Sequence, residues 1–154
     1  MNLSLRKVRN KDLLLLYNWS NDKDVRKHSI NKKKISIKDH IQWFKKKVNS
    51  KENLIYISFL NSIPFGMFRI EKKKKFAYLS YLIGKKFRKR GLGFLMLSKF
   101  IRKIYKKFPN LKIKACVFKK NLASKKIFKK IGFKIYKVDN NLVYYQLTKK
   151  ILRS

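Results

Sequence analysis

Arg88-Lys89-Arg90-Gly91-Leu92-Gly93 lies between an apolar run, Phe76 to Ile83 (FAYLSYLI), and a second stretch, Leu92 to Phe108, with apolar residues at 92, 95, 96, 100 and 104. The first run is rich in β-forming residues and the second has helical spacing, so the chain reads strand, glycine turn, helix. Glycines at 91 and 93 remove the side chains that would keep a ligand from the backbone. The helix starting there directs unpaired N–H groups and the positive end of its dipole at the turn. Arg88, Lys89 and Arg90 add positive charge around it, and the combination suits a pyrophosphate.

A second signal follows at Asn121-Leu122-Ala123-Ser124, leading through Ile127-Phe128 to Ile131-Gly132-Phe133. From about Phe76 to Phe133 the two motifs resemble the core of the GNAT superfamily of N-acetyltransferases. Its fingerprint is Gln/Arg-x-x-Gly-x-Gly/Ala, then Asn-x-x-Ala/Ser and an aromatic-x-x-x-Gly-Phe ending; Arg88, Gly91, Gly93, Asn121, Ser124, Phe128, Gly132 and Phe133 match it. The resemblance implies the GNAT acyltransferase fold, an α/β (α+β mixed) architecture with a central, mixed but mostly antiparallel sheet flanked by helices. It implies acetyl-coenzyme A as cosubstrate. The pantetheine arm would bind along Leu82 and Ile83, the pyrophosphate on Arg88, Lys89, Arg90, Gly91, Leu92, Gly93 and Phe94, and the thioester near Asn121, with Ser124 and Phe128 completing the cofactor set.

Composition agrees with one domain over residues 1–154. The chain is 45% hydrophobic and 14% aromatic, enough for a packed core despite a charged fraction of 32%. No apolar run approaches the roughly 18 residues of a membrane span, and the first residues read as a strand instead of a signal peptide, so a cytoplasmic protein is expected. The single cysteine, Cys116, excludes an internal disulfide and reads as a small buried side chain. Two histidines, seven acids and no clustered cysteines predict no metal site.

The charge is extreme: 43 Lys and Arg against 7 Asp and Glu give +36. The basic residues come in short runs throughout, such as Lys32 to Lys34, Lys72 to Lys75 and Lys149-Lys150, with no basic tail and no neutral face. Lysine is accompanied by many Asn, Ile and Phe residues, the set an A/T-rich coding sequence favours. Compositional drift therefore accounts for the charge better than a selected polyanion groove, and nucleic-acid binding is expected only as a non-specific, salt-sensitive property.

Along the chain, Leu3 to Val8 alternates as a strand and Asp12 is placed to cap a helix from Leu13 to Trp19. A polar connector with Asn21, Asp22 and Asp24 leads into Val25 to His28. Ser36-Ile37-Lys38-Asp39 signals the start of a helix with Ile37, Ile41, Phe44 and Val48 on one face. Strands follow at Leu54 to Leu60, Pro64 to Ile70 and Phe76 to Ile83, then the turn and long helix, a strand from Leu111 to Phe118, and a helix from an Asn121 cap to Ile131. Strands at Phe133 to Val138 and Leu142 to Leu147, joined at Asp139-Asn140-Asn141, complete the chain.

The cofactor core leaves the N-terminal third to form the acceptor pocket. Trp19-Ser20-Asn21-Asp22, Val25-Arg26, Ile35-Ser36 and His40-Ile41-Gln42-Trp43-Phe44 resemble a branch of the superfamily that acetylates the 4-amino group of nucleotide-linked amino sugars, including pseudaminic acid-type sugars. That branch usually reads Trp-Arg-Asn-Asp, where this chain has Ser20. Arg26, His40 and Trp43 are the candidates to contact the acceptor, against the structural alternatives of a surface arginine, a partly buried helix histidine and a core tryptophan. A protein N-terminal acetyltransferase and a non-catalytic basic binding module are the alternatives, and a monomer or homodimer is expected. His40 is the candidate to orient the acceptor or take its proton. Many relatives carry a tyrosine at Phe128 that protonates the departing thiolate. Phenylalanine cannot, which leaves Tyr78, Tyr81 and water as proton donors, or a thiolate that departs without direct protonation, as its modest basicity permits.

Overall fold

A computed structural model describes residues 1–149; residues 150–154, including the second lysine of the Lys149-Lys150 pair, lie outside the description. The chain begins with β1 (Leu3–Lys7), a 3₁₀ turn, α1 (Leu13–Ser20), α2 (Lys23–Lys27) and α3 (Ile37–Val48). Three strands follow, β2 (Asn53–Leu60), β3 (Ile63–Lys72) and β4 (Phe76–Ile83), then α4 (Leu92–Lys107). The remainder is β5 (Lys112–Phe118), α5 (Leu122–Ile131), β6 (Lys134–Val138) and β7 (Leu142–Leu147).

The seven strands form one sheet in the order β1-β2-β3-β4-β5-β7-β6. Every neighbouring pair is antiparallel except β4 and β5, which α4 connects as a parallel crossover. Apolar residues of both sheet faces are covered. On one face Phe68, Ile70, Leu79 and Ile113 pack against Met96, Leu97, Phe100 and Phe128 of α4 and α5. On the other, Ile55, Ile57, Met67 and Leu82 pack against Leu16 of α1 and Phe44 of α3.

Four expectations are corrected by the packing. The apolar face of α4 is centred on Met96, Leu97, Phe100, Ile101 and Ile104, while Leu95 faces outward. In α3 the inward residues are His40 and Phe44, and Ile37 is exposed. The polar connector after α1 is itself helical: Asp22 accepts from the N–H groups of Asp24 and Val25 and so starts α2. Asp12 does not cap α1 with its side chain. Its carboxylate receives two bonds from the Arg6 guanidinium, both 2.9 Å, and one from the Arg9 N–H at 2.7 Å, and so ties the end of β1 to the start of the helical layer. Cys116 is half-buried on β5 with a free thiol, whose pKa burial pushes up.

Burial opposes ionisation of Asp12, but the bonds from Arg6 and the Arg9 N–H outweigh it and hold the carboxyl below the usual carboxylate range. A group whose pKa falls on folding stabilises the fold above its unfolded pKa, and that contribution disappears as pH falls through the folded value. Asp12→Asn is expected to cost about 2 kcal/mol at pH 7. In urea titrations the gap between wild type and variant should narrow below pH of about 4; a gap that stays constant down to pH 2 would show that the charge on Asp12 does not matter.

Candidate active site

The site begins where two strands part. β4 pairs with β5 only at Phe76, Ala77 and Tyr78, although β4 runs to Ile83 and stays paired with β3 along its length. Beyond Tyr78 the edge of β4 facing β5 is unpaired. Gly84 donates its N–H to the Phe65 carbonyl at 2.7 Å, so by strand alternation the peptide groups of Leu79, Tyr81 and Ile83 point into the opening, where Arg88 takes the Ile83 carbonyl and leaves those of Leu79 and Tyr81 open. Unpaired backbone donors and acceptors lining a notch are what an amide-bearing arm such as pantetheine requires.

The glycine turn closes one end of the opening. Lys89 and Gly91 have left-handed backbones, with φ of 59° and 72°. No side chain caps α4, and its first N–H groups, those of Leu92, Gly93 and Phe94, stand at the N-terminus of a 16-residue helix. The two glycines have different roles. A Cβ on Gly91 would meet nothing within 4 Å, so glycine is needed there for its φ; a Cβ on Gly93 would come within 2.9 Å of Ile127 Cδ1, so that glycine lets α4 and α5 approach. Arg88 is not mobile charge. Its guanidinium binds the Ile83 carbonyl at 3.0 Å, Asp24 at 2.9 Å and Asp22 at 2.7 Å. Lys89 and Arg90 remain exposed beside the turn. Lys130, which sequence reasoning missed, holds its Nζ 4.2 Å from the centre of the Phe94 ring and adds a third cation there.

Across the opening, Asn121 starts α5, its Oδ1 accepting the Ser124 N–H at 3.2 Å; this side chain is a helix cap. Ser124 Oγ lies 2.7 Å from Tyr81 Oη. Phe128, expected against the cofactor, is 1% exposed and packed on Tyr81, Phe133 and Tyr145, so it offers a ligand no surface. Burial pushes the Tyr81 phenol up, against a smaller opposing effect of Ser124, so Tyr81 holds its proton at neutral pH. Tyr78 is 45% exposed and meets Phe76 edge to face. Three positions from Tyr81 it points to the other face of the sheet, so the two tyrosines do not share a site.

The other face of β3 and β4 holds a cavity of about 360 Å³ between the sheet and the N-terminal helices, reached by Ser20, Arg26, His40 and Trp43 from one side and by Met67, Arg69, Ser80, Tyr81 and Leu82 from the other. His40 is 2% exposed; its Nε2–H donates to the Leu13 carbonyl at 2.8 Å, and its ring stacks on Trp43 with centroids 5.6 Å apart. That bond fixes the tautomer, leaving Nδ1 as the nitrogen with no protein partner among the described residues. Arg26 is not available to an acceptor. It donates to the carbonyls of Ser20, Asn31 and Lys33 and to Ser29 Oγ, and with Asn21, whose amide pairs both ways with Ile35, it staples the loop that walls the cavity. Arg69 was missed, although a lone arginine inside the apolar run Phe65 to Ile70 was a readable signal.

An open sheet seam, an uncapped helix N-terminus at one end of it and a partly buried phenol beside it define a coenzyme A-dependent acyltransferase. The chain matches the model of the acetyltransferase (GNAT) domain over residues 2–134 and belongs to that family; it is an acetyl-coenzyme A-dependent N-acetyltransferase on the GNAT fold. Three solved structures illustrate the likeness. Vibrio cholerae spermidine N-acetyltransferase, in complex with CoA and spermine, matches with a TM-score of 0.84 and 11% identity over 99% of this chain and 98% of that one. AAC(6')-Ib, in complex with ribostamycin and coenzyme A, gives 0.85 and 17% over 99% and 97%. Campylobacter jejuni N-acetyltransferase PseH gives 0.73 and 19% over 96% and 98%. No curated protein matches the chain. Among the described residues no helix is long and apolar enough to cross a membrane, and no group of His, Cys, Asp or Glu is placed to hold a metal.

Gly91→Val forces a branched side chain into a left-handed backbone without blocking any packing, so the protein should fold while its affinity for coenzyme A falls by about tenfold or more. Unchanged affinity by calorimetry in a folded variant would place the cofactor elsewhere. His40→Ala removes a buried bond and a stacked ring, and should lower stability by about 2 to 4 kcal/mol in denaturant titrations.

Proposed function

We propose that the chain transfers acetyl to the amino group of a nucleotide-activated amino sugar in the cytoplasm. The observation that carries this reading is the cavity of about 360 Å³ on the acceptor side of β4, walled by the Trp19 to Phe44 segment whose text resembles the sugar-nucleotide branch. Its size falls in the range of small-molecule sites, roughly 300 to 1,000 Å³, and it reaches Tyr81 at the parted strands.

Acetyl-coenzyme A supplies an activated acyl thioester when bound. The peptide edges of Leu79 and Tyr81 would hold the pantetheine arm, and the N–H groups of Leu92, Gly93 and Phe94, with Lys89, Arg90 and Lys130, would hold the diphosphate. The N-terminal wall, kept in place by His40 and Arg26, positions the amine. Among the described residues Asp39 is the one carboxylate that lines the cavity itself, and it is exposed. The site therefore suits an amine weakly basic enough to be neutral without a strong base, as a sugar amine is beside a lysine. With the thioester bound, the amine would attack its carbonyl carbon as the carbon–sulfur bond breaks; Tyr81 would give its proton to the departing sulfur, Ser124 Oγ, 2.7 Å away, would stabilise the phenolate, and the proton lost by the amine nitrogen would restore the phenol through solvent.

Two measurements test this. Thiol release should be seen with UDP-linked 4-amino-4,6-dideoxy sugars and not with a panel of peptide amino termini; turnover with peptides alone would assign the chain to protein N-terminal acetylation. Tyr81→Phe should lower kcat by about 100-fold with little change in the Michaelis constant for acetyl-coenzyme A. Full activity in that variant would mean that the thiolate leaves unprotonated.

A further inference from the structure

We propose that Arg69 determines acceptor specificity, selecting amines that carry an oxyanion, carboxylate or phosphate, and rejecting polycationic amines. The proposal rests on the acetyltransferase reading of the same site and names the acceptor chemistry that the cavity takes.

Arg69 sits near the middle of β3, directly across from Ser80 of β4, on the face that floors the cavity. Along that floor Met67 and Leu82 are covered by the helical layer, whereas Ser80 is exposed to the cavity. The apolar packing thus stops at a half-buried arginine and a hydroxyl. The guanidinium rests against Trp43, its Cζ 5.4 Å from the ring centre. That contact steadies its plane and leaves the in-plane N–H groups for a ligand.

Among the described residues no protein group accepts a hydrogen bond from Arg69. The acid nearest along the strand, Glu71, is engaged by Lys47 at 3.2 Å and Lys73 at 2.8 Å. Among the described residues the fully buried side-chain atoms without partners are Asn53 Oδ1 and Ser58 Oγ, so the unpartnered Arg69 nitrogens are not sealed in, and Arg69 lines the cavity. Burial pushes the Arg69 pKa down, but a guanidinium stays charged at neutral pH. A half-buried cation with five donors and no acceptor is incompletely solvated, and an oxyanion of the ligand supplies what is missing. Arg26, the other arginine on the wall, has its donors committed to the loop. A polyamine or aminoglycoside would instead bring like charge to Arg69.

The experiment uses the intact chain with matched acceptors: a UDP-linked 4-amino-4,6-dideoxy sugar, the neutral methyl glycoside of the same sugar, glutamate, and spermidine. Wild type, Arg69→Met and Arg69→Lys are compared, with coenzyme A affinity by calorimetry as the check on folding. For wild type, kcat/KM for an anionic acceptor should exceed that for the neutral glycoside by at least about tenfold, the worth of a charge-assisted hydrogen bond. Arg69→Met should lose that advantage through KM with coenzyme A affinity unchanged, and Arg69→Lys should keep part of it. Turnover of glutamate but not of the UDP sugar would retain the role of Arg69 and overturn the sugar-nucleotide reading. Preference of wild type for spermidine, or an undiminished anionic advantage in Arg69→Met, would overturn the proposal alone. Binding of coenzyme A with no acceptor turned over would overturn both.

Discussion

The site depends on β4 and β5 parting after three residue pairs. Each strand has a partner on its other side, β3 for β4 and β7 for β5, so the sheet stays whole on both sides of the seam. α4 closes the crossover between them, and its N-terminus lies at the open end of the seam. One topological event thus places two kinds of unsatisfied backbone group together, the strand edge and the helix start, and both can bind a ligand without any particular side chain. Tyr81 belongs to the same strand edge, with its peptide toward the seam and its hydroxyl toward Ser124 on α5.

Seven acidic residues among 43 basic ones could be scattered at random. Four of them are not: Asp12 joins β1 to the helical layer, Asp22 and Asp24 meet Arg88, and Glu71 is held between two lysines. The exposed pairs among these contribute little stability each. Their effect is geometric, since each fixes a joint between elements that apolar packing alone would leave free to slide. The +36 charge is spread over the surface, but where a carboxylate occurs it is mostly at a joint.

Local order was legible in the sequence and distant partners were not. β4 occupies Phe76–Ile83 and α5 runs from its Asn121 cap to Ile131 as the residues indicate, because periodicity and caps act within a turn or two. The stripe of α4 holds at Leu92, Met96, Phe100 and Ile104 and fails only at Leu95, which is apolar yet exposed while Leu97, two residues on, is buried; hydrophobicity alone does not say which of the two leucines faces the core. The site suffered more. Arg88 was read as ligand-facing because its neighbours are glycines, but its carboxylate partners lie 64 and 66 residues earlier. Phe128 looked like a cofactor contact by its place in the motif, whereas three aromatic neighbours from other elements bury it. Arg26 was expected to hold the acceptor and is committed to loop carbonyls, while Arg69 was given no role and lines the cavity without a protein acceptor among the described residues; what frees or occupies a guanidinium is decided by chain segments that the local sequence does not contain.

Arg88 has a consequence for how substitutions in this protein are to be interpreted. Its side chain links the Ile83 carbonyl, at the end of the open strand, to two carboxylates of the α2 segment that walls the acceptor cavity. The two halves of the site therefore share a hinge pin, and a change at Asp22 or Asp24 made to probe the acceptor wall also unlatches the turn at the start of α4. Residues on this wall cannot be sorted into acceptor and cofactor determinants by single changes alone; the cross-term between Asp22 and Arg88 in a double-mutant cycle measures how far the two halves respond as one.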